Sequence, residues 1–234
     1  MAPGTKAMLF ALTSPHPSIP LPDFNKWYDE RHAPSRAACP GVHSVCRFHL
    51  DDETKTSRRV GDWTWLATYE LEEQGALQTQ EYKNARKEDG DDETRMFDFL
   101  SRRVYRLLKD KRRDDYEDFA SSGRSRLMSV VGLSSAALTN DGIEQISKNG
   151  VANISTSNSW LRSSVWQLST AADPRTWEEQ TDVPTLMLLH EFEDSDEARQ
   201  GGALAQVLNP SNQEAAHSGL PTKEAALVKL WKQF

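Results

Sequence analysis

The 234-residue sequence contains only two cysteines, Cys39 and Cys46. Two thiols cannot form a disulfide framework, and no CxxC or HExxH spacing suggests a metal site. The scarcity of cysteine favours a reducing compartment, so we predict a cytoplasmic protein. Long apolar runs are also missing, since none approaches the roughly 18 residues of a membrane-spanning helix. The apolar segment from Ala7 to Thr13 is short for a signal peptide and alternates like a strand, so no membrane partner is predicted.

Basic residues are fewer than acidic ones. The chain has 28 Lys and Arg against 35 Asp and Glu, a net charge of -7. This balance argues against a nucleic-acid partner, which requires a basic surface. The sequence also lacks a G-x-S-x-G elbow, a Walker loop and a G-x-G-x-x-G motif, so α/β-hydrolase, P-loop and dinucleotide-binding functions have no support. The composition of the whole sequence, 37% apolar and 27% charged residues, is typical of a globular protein.

Four strand-like segments of the first half have similar counterparts, in the same order, in the second half. The aligned pairs are 7–15 with 127–135, 46–50 with 164–168, 64–73 with 185–194, and 104–110 with 227–233. Ordered similarity at nearly one offset favours an internal duplication. We therefore predict a first repeat at 1–110, a charged linker at 111–125 and a second, degenerate repeat at 126–234.

The first half predicts the element order strand, helix, strand, strand, helix, strand. The predicted bounds are 7–14, 22–37, 42–50, 63–71, 76–88 and 103–108. The first helix has Pro22 near its start and a stripe from Phe24 to His32 at i, i+3, i+4, i+7 and i+8. The order βαββαβ is that of a ferredoxin-like unit, an antiparallel sheet with helices on one face. In the second half, a helix is expected over 193–208.

The first helix contains W-Y-D-E-R-H-A-P (27–34), followed by P-G (40–41) and a strand with C-R-F (46–48). This set of motifs resembles the EthD-like branch of the dimeric α/β-barrel superfamily. The resemblance implies two ferredoxin-like units that pack sheet to sheet and close into a barrel around a cavity. Since the duplication implies that one chain supplies both, the predicted fold class is α+β, with two βαββαβ repeats as a single-chain dimeric α/β-barrel. A homodimer of this two-repeat chain is left open.

The resemblance also implies a range of activities. Proteins of this kind include cofactor-free cyclases, decarboxylases, muconolactone isomerases and quinone-forming oxygenases, often in secondary metabolism. The superfamily also contains haem enzymes. The residues of this chain to which the resemblance assigns a functional position are His32, its neighbours Tyr28 and Asp29, and the strand residue Arg47. Because the second half has no counterpart of this helix motif, we expect one site per chain, with the second half mainly as its wall.

Strand alternation divides residues 42–50 into two faces. Val42, Ser44, Cys46, Phe48 and Leu50 are expected to face the helices, whereas His43, Val45, Arg47 and His49 are expected to point into the barrel. The alignment of the halves places His190 opposite Tyr69, so both are expected to line one cavity. Trp65 lies on the same strand face as Tyr69. A slip of one residue would reverse these faces.

Each candidate has a structural and a functional interpretation. His32 is either a buried histidine with a backbone partner or a general acid or base, for which its ordinary pKa of about 6.5 is suited. Tyr28 and Tyr69 are core aromatics or donors to an enolate or phenolate oxygen. Arg47 forms a cross-strand salt bridge or holds a carboxylate. His43 and His49 lie about 20 Å apart along a strand, too far to share a metal.

The leading prediction is a cofactor-independent enzyme acting on a hydrophobic aromatic or polyketide-like small molecule. The acid/base chemistry would be cyclisation, dehydration, decarboxylation or isomerisation, as in a lyase or isomerase. The catalytic residues would be His32, Tyr28 and Tyr69, and the substrate-binding residues would be Arg47, His43, Trp65 and His190, with no cofactor and no metal. The alternatives are a non-catalytic ligand-binding or stress-related barrel protein, a cofactor-free oxygenase and a haem enzyme.

Overall fold

The computed structural model describes residues 5–51, 63–116, 126–133, 158–169, 183–195 and 222–234, and the isolated positions 141, 142, 144 and 148. The strands are β1 (Ala7–Pro15), β2 (Val42–Leu50), β3 (Trp65–Leu71), β4 (Phe97–Arg112), β5 (Arg126–Leu133), β6 (Trp160–Leu168), β7 (Leu186–Glu193) and β8 (Thr222–Gln233). The helices are α1 (Leu21–Trp27), a π-helical turn (Tyr28–His32), α2 (Ala33–Ala37), a 3-10 helix (Gln74–Gln78), α3 (Gln80–Glu88) and α4 (Gly90–Met96). The bounds predicted for the first half agree to within a few residues, except that β4 is longer at both ends and α4 was not predicted.

The strands form one closed barrel. Their order is β1-β3-β2-β8-β5-β7-β6-β4, every adjacent pair is antiparallel, and β4 pairs back to β1. The first four strands are therefore adjacent as β4-β1-β3-β2, and the last four as β8-β5-β7-β6. Closure depends on the pairs β2–β8 and β4–β6, which join the two halves of the chain. These pairs give the edge strands hydrogen-bonded partners, so the eight described strands have no open sheet edge.

The predicted fold class is wrong. Two ferredoxin-like βαββαβ repeats packed sheet to sheet require two sheets, whereas the described strands form a single eight-stranded antiparallel barrel. Local strand patterns do not show which edges will pair, and pairing between the halves produces the single sheet. The helix expected over 193–208 lies almost entirely outside the described residues. The division into 1–110, 111–125 and 126–234 stays a prediction; β4 continues past its first boundary.

Apolar side chains from both halves fill the barrel interior. This cluster comprises Met8, Phe10, Leu12, Cys46, Phe48, Leu50, Trp63, Leu66, Tyr105, Met128, Val130, Trp166, Met187 and Leu189. On β2, Cys46 and Phe48 therefore point inward, while Arg47 points outward and contacts the ring of Phe24 in α1. The expectation that His43, Arg47 and His49 face the barrel interior is wrong. β2 has buried side chains on both of its faces. Alternation alone therefore does not show which face points into the barrel.

The helices cover the outer face of β1, β3 and β4, where a second apolar cluster lies. Gly41 precedes β2 with φ of +80°, and a Cβ atom there would lie 2.8 Å from the Cβ of Ala76. The turn therefore requires glycine. Thr79 caps α3, since its hydroxyl accepts a hydrogen bond from the Tyr82 N–H at 3.3 Å. Among the described helices, none has the length and apolar character needed to cross a membrane.

Candidate active site

A cavity of about 260 Å³ lies between the outer face of the barrel and the helices of the first half. Its sheet side comes from β1, β3 and β4, and its other walls come from the π-helical turn, α2, the 3-10 helix and α3. The lining residues are Leu9, Ala11, Tyr28, His32, Arg36, Tyr69, Gln74, Leu77, Gln78, Tyr82, Lys83, Arg86, Phe97, Leu100, Arg102 and Val104. All three residues predicted to be catalytic, His32, Tyr28 and Tyr69, are therefore in one cavity outside the barrel.

The π-helical turn brings the rings of Tyr28 and His32 together. The Ala33 N–H donates to the Tyr28 carbonyl, five residues back, so the helix is locally widened. Pro34 follows directly, and it has no N–H to donate to the carbonyl of Glu30, as an α-helix would require. The ring centroids of Tyr28 and His32 are 4.7 Å apart. The Trp27 ring lies 4.7 Å from the His32 ring, so two aromatic rings pack against the imidazole.

Asp89 is the hydrogen-bond partner of His32. Its Oδ2 atom lies 3.1 Å from His32 Nδ1, and both side chains are buried. An ionised carboxylate only accepts, so this bond assigns the proton to Nδ1 and leaves Nε2 as the basic nitrogen. Burial lowers the pKa of His32 below its ordinary value, although the bond to Asp89 opposes this change. His32 is therefore predominantly neutral at pH 7, as a general base requires.

The carboxylates beside His32 are neutralised by three arginines, of which Arg31 lies 3.4 Å from Asp89. Arg36 lies 3.2 Å from Asp89 and 3.3 Å from Glu93, and Arg102 lies 2.6 Å from Glu93. Burial raises the pKa of Asp89, but the bond to His32 and the nearby guanidinium groups outweigh burial and hold it below its usual value. The pKa of Glu93 is lowered in the same way, chiefly by Arg102. Both carboxylates therefore remain charged at neutral pH and can stabilise a protonated His32.

Tyr28 and Tyr69 form a buried hydroxyl pair. Their oxygens are 3.1 Å apart, and the two side chains are 1% and 2% exposed. Burial raises the pKa of both hydroxyls. In Tyr28 the positive charge of Arg47 acts in the opposite direction, but burial is the larger effect. Both are therefore protonated near neutral pH. One can donate to the other, which leaves a second O–H to donate to a ligand oxygen.

Arg47 does not line this cavity. It forms an ion pair with Asp29 and donates to the Asn25 side chain at 3.0 Å. Its guanidinium lies 4.1 Å from the ring centroid of Tyr28 and 4.4 Å from that of Trp65. Arg47 thus contacts the rings of both Tyr28 and Trp65. Neither Arg47 nor Trp65 is placed where it could contact a ligand in the cavity.

The remaining substrate-binding candidates also lie elsewhere. His43 is exposed near the start of β2. His190 is fully buried in β7, where Nδ1 lies 2.8 Å from the Ser163 hydroxyl, and burial lowers its pKa to about 3. Tyr69 packs beneath the helices of the first half, so the two residues do not share a cavity as expected. Their alignment in sequence does not make them neighbours, since β3 and β7 are not adjacent in the barrel.

Five residues close to His32 and Tyr69 in this site were not predicted from the sequence. These are Arg36, Tyr82, Asp89, Glu93 and Arg102. Arg36 could have been predicted, because it lies four residues after His32 and therefore on the same side of the helical segment. Asp89 and Glu93 lie in an acidic run, E-D-G-D-D-E, which by itself resembles a solvated loop. In the described part of the chain, no group of three or more His, Cys, Asp or Glu side chains could hold a metal ion.

The fold resembles several solved structures at low sequence identity. A proposed monooxygenase of Fusobacterium nucleatum shares 9% identity and a TM-score of 0.56, over 98% of this chain and 94% of that one. An anthrone oxidase-like protein shares 12% identity and a TM-score of 0.55, over 98% and 92% of the two chains. A proposed chlorite dismutase shares 10% identity and a TM-score of 0.53, over 97% and 96%.

At these identities the similarity concerns the fold alone. The dimeric α/β-barrel superfamily, its EthD-like branch and the internal duplication therefore stay predictions. No protein-family model matches the sequence, and no curated protein matches it.

Proposed function

We propose that this chain is a cofactor-independent enzyme that removes a proton from a hydrophobic, oxygenated small molecule. The observation that supports the proposal is the presence of two complementary pairs at one cavity, which His32, Tyr28 and Tyr69 line. His32 and Asp89 form a base with a carboxylate partner, and Tyr28 and Tyr69 form a neutral hydroxyl pair. A base and an oxyanion donor are the two groups that enolate or phenolate formation requires.

His32 is the general base in this proposal. Nδ1–H donates to Asp89, so Nε2 takes the proton from a C–H or O–H group of the substrate. The imidazolium formed in this step is stabilised by the charges of Asp89 and Glu93. Because the His32 side chain is 5% exposed, these charges act through a medium of low dielectric constant, where their interaction is stronger than in water.

The hydroxyl pair stabilises the negative charge that develops on the substrate oxygen. Tyr28 and Tyr69 are protonated at neutral pH because burial raises the pKa of both. Arg47 is a positioning residue here, since it holds the Tyr28 ring through a contact of 4.1 Å. Loss of one oxyanion donor typically lowers a rate by about 10²–10³-fold.

The anion then leads to one of two classes of product. Protonation at another atom, loss of water or carbon dioxide, or ring closure gives isomerase or lyase chemistry. Reaction with dioxygen gives oxygenase chemistry; an anthrone, for example, would yield the quinone and one water per dioxygen. The fold similarity to an anthrone oxidase-like protein and a proposed monooxygenase supports testing this second outcome. Cytoplasmic location and a homodimer stay predictions.

Anthrone is a suitable probe because loss of its C10 proton gives a stabilised anion. Under anaerobic conditions in D₂O, the wild-type protein should accelerate exchange of that proton, measured by NMR. His32→Gln should lower the accelerated rate by about 10²–10⁴-fold, the usual contribution of a general base. The exposed His43→Gln variant is the control and should keep the wild-type rate.

Three results would contradict the proposal. Exchange at the buffer rate with wild-type protein that binds anthrone would indicate a non-catalytic ligand-binding barrel. Equal exchange rates in wild type and His32→Gln would show that His32 is not the general base. A Soret absorption band in the purified protein would indicate a haem enzyme. Admitting air then separates the product classes, because only oxygenase chemistry consumes dioxygen.

A further inference from the structure

The cavity contains a third tyrosine, Tyr82, on the first turn of α3. The Thr79 hydroxyl accepts a hydrogen bond from the Tyr82 N–H at 3.3 Å and donates to the Ala76 carbonyl at 2.9 Å, so the start of α3 is fixed. The Tyr82 side chain is buried, and the Arg36 guanidinium lies 5.9 Å from the centroid of its ring. The backbone and the ring of Tyr82 are therefore positioned by the protein itself.

The Tyr82 hydroxyl differs from the other tyrosine hydroxyls of the chain. The sequence has five tyrosines. Four of their hydroxyls form a hydrogen bond within the protein, those of Tyr28, Tyr69, Tyr105 and Tyr116. No group in the part of the chain that the structure describes bonds to the hydroxyl of Tyr82. Because buried polar groups are nearly always hydrogen-bonded, this exception indicates a partner from outside the protein.

The Tyr82 hydroxyl is open to the cavity. Among the described residues, the side-chain polar atoms that are sealed from solvent and also unpartnered include Trp27 Nε1 and Ser129 Oγ, but not the Tyr82 hydroxyl. The hydroxyl therefore has access to open space, and the cavity is the space that the Tyr82 side chain borders. A molecule that fills the cavity can thus supply the missing partner.

Tyr82 is a neutral hydrogen-bonding group near neutral pH. Burial raises the pKa of its hydroxyl, and the nearby Tyr69 acts in the same direction. A neutral phenol donates one hydrogen bond to a carbonyl or hydroxyl oxygen and can accept one from a hydroxyl. A ligand with only hydrocarbon at this place would displace water and leave the Tyr82 hydroxyl unpaired, which is unfavourable.

The reacting oxygen of the proposed function already has a donor. The Tyr28 and Tyr69 hydroxyls bond to each other, and the free O–H of this pair stabilises the oxygen that becomes negative. Tyr82 forms no hydrogen bond with this pair, and it comes from α3 rather than from the π-helical turn or β3. Apolar side chains, among them Leu9 and Leu100, also line the cavity. The cavity therefore offers two separate hydroxyl groups to the oxygens of a largely apolar ligand.

We infer that Tyr82 binds a second oxygen of the substrate, so that the substrate is a largely apolar molecule with at least two hydroxyl or carbonyl oxygens. This inference rests on the proposed function, since the first oxygen is the one that His32 and the tyrosine pair activate. Tyr82 then acts on specificity, because a molecule without the second oxygen leaves its hydroxyl unpaired. A hydrogen bond between neutral groups typically changes affinity about threefold to tenfold.

The test compares 2-naphthol, which has one oxygen, with 2,3-, 2,6- and 2,7-dihydroxynaphthalene, which place a second oxygen at different positions. Dissociation constants are measured by anaerobic fluorescence titration at pH 7. For each diol, the dissociation constant of 2-naphthol divided by that of the diol gives the effect of the second oxygen. For at least one diol, this ratio should be about threefold to tenfold larger in wild type than in Tyr82→Phe.

The matched control is Tyr116→Phe, which removes a hydroxyl that does not line the cavity. It should keep the wild-type ratio for every diol. Tyr82→Phe should also keep the wild-type free energy of unfolding, measured by chemical denaturation, because its hydroxyl bonds to no group of the folded protein. A loss of stability in Tyr82→Phe would reveal a protein partner and overturn the inference.

Three further results overturn the inference: equal ratios in wild type and Tyr82→Phe for all three diols, the same change in Tyr116→Phe, or no binding of any of the four ligands. Anthrone exchange judges the proposed function separately, because anthrone has a single oxygen and the comparison is between wild type and His32→Gln. Exchange that depends on His32, together with equal ratios, removes only the inference. Exchange at the buffer rate removes the proposed function.

Discussion

At the scale of single residues, His32 depends on a partner far away in the sequence. Asp89 lies 57 positions later and bonds to Nδ1 from the start of α4. Burial and the carboxylate act on the pKa of His32 in opposite directions, and burial is the larger effect. The result is an imidazole that remains neutral at neutral pH while its protonated form has a carboxylate to pair with.

The substitution Asp89→Asn should change the pH profile as well as the rate. Asp89 raises the pKa of His32, so its loss lowers that pKa further and moves the acid limb of the exchange rate to lower pH. The plateau rate should also decrease, because the imidazolium loses its charged partner. The rate of anthrone exchange between pH 4 and 8 measures both effects. An unchanged acid limb would contradict the role of Asp89 as the partner of His32.

His190 should affect stability rather than catalysis. Its folded pKa of about 3 lies below the unfolded value near 6.5, so its contribution to stability is complete above pH 6.5 and is lost as the pH falls. Each pH unit below that value costs about 1.4 kcal/mol. The free energy of unfolding is measured by denaturant titration between pH 5 and 6.5. Its slope against pH gives the number of protons taken up on unfolding, and in His190→Gln this number should be smaller than in wild type by about one.

Other buried groups also make the free energy of unfolding depend on pH, so the effect of His190 is the difference between wild type and His190→Gln. Burial of Glu191 raises its pKa, which acts on stability in the opposite direction. The exposed His43→Gln variant should keep the wild-type slope. Equal slopes in wild type and His190→Gln would show that His190 is not held neutral in the folded state.

At the scale of elements, the π-helical turn links a helix-breaking residue to the geometry of the site. Pro34 lacks the N–H that an α-helical turn would use, and the wider turn places the Tyr28 and His32 rings 4.7 Å apart. The sequence pattern predicted that both residues share the sheet-facing side of a helix over 22–37. It did not predict the widening, because a period of 3.6 describes only α-helical geometry.

The substitution Pro34→Ala should separate stability from activity. An alanine N–H can donate to the Glu30 carbonyl and convert the turn to α-helix, which moves His32 relative to Tyr28. We expect the free energy of unfolding to be kept or increased and the rate of anthrone exchange to fall about tenfold or more, since small displacements of a catalytic group are costly. Pro22→Ala, near the start of α1, is the control and should keep the wild-type rate. An unchanged rate in Pro34→Ala would show that the π-helical turn is not needed.

At the scale of the whole molecule, buried charges connect the halves of the chain. Arg162 of β6 lies 2.5 Å from Glu70 of β3, 2.7 Å from Asp110 of β4 and 3.4 Å from Glu191 of β7. The Arg162 side chain is 4% exposed, so its charge needs these partners. The network therefore ties strands from both halves of the sequence to one guanidinium.

Arg162→Met should destabilise the barrel strongly. It leaves the buried Glu191 with only Arg126, 3.7 Å away, as a cationic neighbour among the described residues, and removing one member of a buried ion pair typically costs about 3–5 kcal/mol. Chemical denaturation should show this loss in the free energy of unfolding. The control, Arg95→Gln, removes an exposed ion pair with Asp92 and should cost less than about 1 kcal/mol. Equal losses in the two variants would contradict the structural role of the network.

The sequence by itself determined the features that depend on neighbouring residues. Alternation located the first-half strands, and helical spacing placed Phe24, Tyr28 and His32 on one face of the first helix. Both signals are local, because side-chain direction repeats every two residues in a strand and every 3.6 in a helix. The choice of the first half for the candidate site came instead from the W-Y-D-E-R-H motif, which has no counterpart in the second half.

Only the tertiary structure decided the features that depend on distant contacts. Pairing of β2 with β8 and of β4 with β6 produced one closed sheet, and it also fixed which face of β2 lies inside. Packing of α3 and α4 brought Asp89 to His32 and Lys83 to the cavity. The physical reason is that edge pairing and helix packing depend on the burial of the whole chain, which no local pattern contains.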